Sequence, residues 1–152
     1  DEDYIVEEDL SLEDNKVLDR ILEMEKNKLK RINIQNSGFK SLVITPESDD
    51  DVQISIIKND EKVLEEIKSD YKDVYETITI SSTDKSMDMV LNFSVKKNWL
   101  DDREYERDDV KVLVKEDDNS FKEADITYNG EDDNEYNYIA KAKEFSSYSI
   151  VA

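Results

Sequence analysis

From Lys28 onward, apolar and polar side chains alternate with a period of two, the mark of strands that bury one face. Ile32 and Ile34 alternate with Arg31 and Asn33, and Asn36-Ser37-Gly38 then supplies a turn. A second strand over 39–45 stops at Pro46. The acidic loop Glu47-Ser48-Asp49-Asp50-Asp51 follows, and a third strand is built on Val52, Ile54 and Ile56. The period returns over 74–81, with Ile78 and Ile80 on one side. It is clearest at Met87, Met89, Leu91, Phe93 and Val95, opposite Asp88, Asn92 and Ser94. Val110, Val112 and Val114 form another strand, turned by Asp117-Asp118-Asn119 into a returning strand over 121–128. Gly130-Glu131-Asp132-Asp133 turns again, Tyr136, Tyr138, Ala140 and Ala142 share a face, and 145–151 closes the chain. About eight short strands spaced by polar turns predict a mainly β, antiparallel, immunoglobulin-like β-sandwich rather than a parallel α/β sheet.

Three segments leave this period. Ser11 and Asp14 resemble a helix start, and Val17, Leu18, Ile21 and Leu22 fall on one helical face, which predicts a short amphipathic helix over 12–24. The rival is an extended lead into the first strand. Val63, Leu64, Ile67 and Tyr71 suit one face of a helix within 60–72, or an ordered excursion from the sheet. Trp99-Leu100 starts one helical turn that ends in the loop 101–109. The chain therefore divides into an acidic lead with a short helix, 1–25, its first ten residues expected to be mobile, and a sandwich domain, 26–152. The start at Asp1 without Met leads to the expectation of a processed or trimmed chain.

Composition changes the picture mainly by exclusion. With 152 residues the chain is long enough for one domain with a real core, and aromatic content of 9% argues against disorder despite 40% charged residues. A net charge of −19, from 21 basic and 40 acidic residues, argues against nucleic acid and anionic membrane surfaces as partners. The densest basic group, Lys28, Lys30 and Arg31, reads as the outer side of one strand. Lysine far outnumbers arginine, which is not the habit of an extreme halophile. With no Cys and no His, disulfides, thiol chemistry and the commonest metal ligands are missing. No apolar run approaches 18 residues, so no membrane-inserting segment is expected.

In the last sixty-odd residues Val90-Leu91-Asn92-Phe93-Ser94-Val95 runs into Lys96-Lys97-Asn98-Trp99-Leu100, and this resembles the strand and K-x-W-L start of the archaeal PGF-pre-PGF domain, a module of exported, S-layer-related proteins. The loop from Tyr105 into the strand at Val110, the hairpin from Asp117 to Glu123, and Gly130 through Tyr138 resemble its later loop, its D-G-x-W hairpin and its acidic Gly-Tyr turn. Residues 41–57 resemble its I-x-I-T-P strand and acidic loop, so the likeness covers about 26–152. Three departures stand out. Lys143-Glu144-Phe145-Ser146 replaces P-G-F-S, Phe121 replaces the hairpin Trp, and 60–72 replaces a Pro-rich loop. The resemblance implies an extracellular, cell-envelope location and structural or adhesive work among other surface proteins or in self-assembly, with no catalytic residues to carry over.

The candidate chemistry is correspondingly bland. Forty acidic residues make any carboxylate pair uninformative as a glycosidase dyad, and the default is a solvated surface. The chain is expected not to be an enzyme. The turns at Asp49, Asp50, Asp51, Glu131, Asp132 and Asp133 concentrate the hard oxygen ligands that Ca²⁺ requires, although no EF-hand spacing is present. Asn92-Phe93-Ser94 is an N-x-S sequon with Asn92 on the outward face. Trp99 reads as a core plug at a strand-to-helix corner, and Tyr136 and Tyr138 as same-face sheet packing. The expected function is a non-catalytic structural or interaction module of an archaeal surface protein. The alternative is a glycan- or cell-binding adhesion module, Ca²⁺-dependent or not, with solvent-facing rings beside polar loops.

Overall fold

The alternating segments form strands that divide between two sheets in the computed structural model, which describes residues 5–83 and 87–152. Among the described residues each sheet has six strands. Sheet A runs β1 (Ile5–Ser11), β3 (Leu29–Gln35), β4 (Phe39–Ile44), β7 (Met89–Lys96), β11 (Glu135–Ala142) and β10 (Ile126–Glu131). Sheet B runs β2 (Val17–Leu22), β5 (Val52–Lys58), β6 (Val74–Ser82), β12 (Ser147–Val151), β8 (Lys111–Lys115) and β9 (Phe121–Glu123). Every named pairing is antiparallel except β1 with β3.

The inward faces meet in one apolar layer. Ile32, Leu42, Leu91, Phe93 and Ala140 of sheet A share a buried cluster with Ile54, Ile56, Ile78, Val112 and Ile150 of sheet B. Each fully buried aliphatic or aromatic side chain contributes about 1.5–3 kcal/mol against the entropy of ordering it, so the period-two pattern is the main source of the fold. Phe93 stacks on Tyr138 at 5.0 Å between ring centroids. With two glycines in the sequence, asparagine takes over the tight turns. Asn15, Asn27, Asn36, Asn59 and Asn119 all sit in the left-handed region, which their side chains tolerate best after glycine.

The lead helix predicted over 12–24 is not formed. Its residues supply the connection after β1 and the whole of β2, while the acidic start at 1–3 lies outside the described residues. Four apart on a helix is also an even separation on a strand, so Leu18 and Leu22 share a face under either period. Val17 and Ile21 then point outward, 62% and 67% exposed. β-branched side chains and pairing of β2 with β5 decide for the strand. Leu10, Leu12, Leu22 and Met24 join the common core, and residues expected to be mobile are paired with β3.

The segment 60–72 does contain a helix, α1 (Glu61–Lys68), capped by the Asp60 carboxylate accepting from the Lys62 N–H at 3.0 Å. Its Ile67 packs with Leu113 and Val151 on the outer face of sheet B. The return predicted as one strand over 121–128 is two, because the chain leaves sheet B after β9 and enters sheet A at β10. A short α2 (Lys97–Asp101) follows β7, with Leu100 buried, and a 3-10 turn covers Arg107–Asp109. No helix of the described residues is long and apolar enough to cross a membrane.

Candidate functional site

Strand register gives the molecule two ends. Met89 of β7 lies beside Ile44 and Ala142, whereas Lys96 lies beside Glu135, so β7 runs the length of sheet A. The Lys96 end gathers most of the functional-looking chemistry.

Its base is a pair of buried charges. Along β6 the inward positions are Glu76, Ile78 and Ile80, and the carboxylate of Glu76 closes the end of the layer. It accepts from the Gly38 N–H at 2.9 Å and from the Ser37 hydroxyl, which pins the β3–β4 hairpin across the sandwich. Gly38 is needed there: a Cβ would stand 2.9 Å from the Tyr75 ring and 3.2 Å from the Ser94 carbonyl. On β5 the inward series Val52, Ile54, Ile56 ends in Lys58, also buried. Its ammonium donates to the Asn36 carbonyl at 2.5 Å and pairs with Asp14 at 3.1 Å.

Around this base the aromatic residues are engaged with cations. Trp99 meets Tyr75 edge-on at 5.0 Å, and the Arg103 guanidinium lies 4.5 Å over the Trp99 ring. Arg107 covers Tyr128 at 4.1 Å and Lys97 covers Tyr136 at 5.0 Å. The Tyr138 hydroxyl donates to the Arg107 carbonyl at 2.6 Å, and that of Tyr105 donates to Asp73 at 2.8 Å. Burial pushes the Tyr138 and Tyr75 phenols up from their ordinary range, and the bond to Asp73 does the same for Tyr105. Trp99 is half-buried against the core, as a plug at this corner would be.

The acidic turns behave as separate, self-contained features. Asp132 accepts from the N–H groups of Asn134 and Glu135, each at 2.8 Å, and these bonds hold its carboxyl below the usual range. Glu131 is lowered by the hydrogen bond from Lys97, which lies 2.5 Å away, and Asp133 stays exposed. Asp49 accepts from the Lys26 N–H at 2.8 Å, Asp50 bonds Ser48, and Asp51 is exposed. The loop bearing Asp49, Asp50 and Asp51 follows Ile44 at the Met89 end, so it and the Glu131–Asp133 turn cannot share one ion. Among the described residues no three acidic side chains converge to hold a metal.

Asn92 lies on the outer face of sheet A, half-buried between β4 and β11, and its amide donates to the Ser41 hydroxyl at 2.9 Å. Immediately around it the outer face is uncharged: Val43 and Val90 flank it, and Ser94 donates to Asn137 at 2.7 Å, while Arg31 beside Val43 and Lys141 beside Val90 mark the margin. Two adjoining hollows of about 660 and 320 Å³ open between Lys40, Lys96 and Glu135, and a third of about 360 Å³ lies between Tyr105, Arg107 and Tyr136. Glu76 and Lys58 are not among the residues that the sequence pattern singles out, although the inward parity of Ile78 and Ile80, and of Val52, Ile54 and Ile56, extends to them. The pairings of Arg107 with Tyr128 and Lys97 with Tyr136 join distant segments and had no sequence signal. No family model, curated protein or solved structure matches the chain.

Proposed function

We propose that the chain is a non-catalytic structural or interaction module of an exported archaeal cell-surface protein, and that its two sheets form an immunoglobulin-like sandwich. The observation that carries the reading is an uncharged patch at the centre of the outer face of sheet A, bordered by Arg31 and Lys141, in a chain that is 40% charged. Ser41, Val43, Val90, Asn92, Asn137 and Ile139 offer another protein a surface whose burial removes few ions from water. The envelope location and archaeal source rest on the PGF-pre-PGF resemblance alone.

The runner-up, a glycan-binding module, needs free ring faces, and at the Lys96 end cations occupy the faces of Trp99, Tyr128 and Tyr136. Bridging of neighbouring molecules by Ca²⁺ at Asp49, Asp50 and Asp51 is part of the same proposal. Modification of Asn92 and use of the sheet A face exclude each other, and the intact mass of the native protein decides between them. Size-exclusion light scattering with and without Ca²⁺, on protein from fractionated native cells, tests the assembly reading. Association that chelation reverses supports cation bridging. A chelator-insensitive monomer in a cytoplasmic fraction contradicts the proposal.

A further inference from the structure

The four sheet edges are not alike. β1 carries Glu7, Glu8 and Asp9, β9 is three residues long, and β10 breaks register between Tyr128 and Glu131. Runs of charge, short strands and irregularities of this kind keep an edge from pairing. β2 has neither a bulge nor a run of like charge. It is the last strand of sheet B, and its described backbone bonds within the sheets go to β5. Val17 and Ile21, on its outward face, are the exposed large hydrophobic side chains among the described residues, at 62% and 67%. Between them stands Asp19, whose carboxylate accepts from the Ser55 hydroxyl.

We infer that β2 is a docking edge for an extended segment of another protein, added antiparallel to sheet B, with the pattern aliphatic, any residue, cationic, any residue, aliphatic. Main-chain bonds supply the affinity of such strand addition, and alternate side chains supply its selectivity. Directly opposite residues share a face, so the aliphatic residues lie beside Val17 and Ile21 and the cation beside Asp19. Arg20, on the other face, already has Glu8 at 4.0 Å and makes no demand on the newcomer.

A second copy of the chain fits this edge poorly. The antiparallel register that sets Val17 beside Ile21 of the other copy also sets Asp19 beside Asp19. The two molecules bring −19 each. The same charge attracts a basic segment. This inference rests on the interaction-module reading but not on envelope placement, and it uses a different surface from the sheet A face.

The test is amide chemical-shift mapping on the full chain with two short acetylated, amidated peptides. One carries Val, Lys and Ile at alternate positions with Thr between them, and the other has Glu in place of Lys. The expected result is shifts confined to β2 and β5, with the Glu peptide about fivefold weaker, the size of a cross-strand charge pair. Asp19→Lys should reverse the preference, and Ile21→Thr should weaken both peptides; both positions are exposed, so the fold is retained. No shifts, shifts elsewhere, or equal binding of both peptides to wild type and Asp19→Lys would overturn the assignment. A doubled mass by light scattering that Ile21→Thr abolishes would give the edge to a second copy instead. Peptide binding that survives Ile21→Thr undiminished would sink the β2 site while leaving the module reading intact.

Discussion

At the residue scale, the Lys96 end is held by a few side chains whose roles separate cleanly. Gly38→Ala forces a methyl against the Tyr75 ring and the Ser94 carbonyl, and overpacking of this kind costs about 1–3 kcal/mol. The expected readout is a lower Tm together with altered Trp99 fluorescence, since Tyr75 is the edge-on partner of that ring. Tyr138→Phe removes the bond to the Arg107 carbonyl and should cost about 1 kcal/mol in denaturant unfolding. The phenols of Tyr75 and Tyr138 are raised by burial, as is that of Tyr148. A raised folded value means that their contribution is fully present below about pH 10, the unfolded value, and is lost as pH rises toward the folded one. Ultraviolet titration should therefore show these tyrosines ionising only as the chain unfolds in alkali.

At the element scale, β1 and β2 are the part of the fold that local pattern misassigns. Their apolar spacing satisfies two periods at once, and only partners far along the chain resolve it: β3 for β1 and β5 for β2. Removing residues 1–25 should leave a chain without near-ultraviolet dichroism, because Leu10, Leu12, Leu22 and Met24 go with them. A truncated chain with native dichroism would mean that those strands are accessory. Elsewhere alternation is decisive, as in Val52, Ile54 and Ile56 or Leu91, Phe93 and Val95, where successive inward residues are all apolar and any one-residue slip would expose them. The split of 121–128 was not legible, since parity alone does not say which sheet a strand joins. For α1, Asp60→Ala should cost about 1 kcal/mol by loss of the cap, and Ile67→Ala about 2–5 kcal/mol by loss of its packing on Leu113 and Val151. Equal effects of the two substitutions would contradict the placement of α1 on sheet B.

At the scale of the whole molecule, the carboxylates lie mainly in turns, at the two ends and along edge strands, and the middle of the sheet A face is left neutral. That separation follows from alternation: strands in the middle of a sheet have many of their polar outward positions filled by Ser, Thr and Asn, with a few basic residues, while acidic residues collect where the chain turns. The acidic turns identified in sequence are therefore real surface features, but register sets them at opposite ends rather than in one site. The most direct test of the central claim, that the molecule works through the uncharged patch on its sheet A face, is site-specific photo-crosslinking in the producing cell. A crosslinker at position 92 should capture a protein partner, whereas one at Asp118, on the exposed β8–β9 hairpin, should not. Capture at 118 with none at 92 would contradict the account.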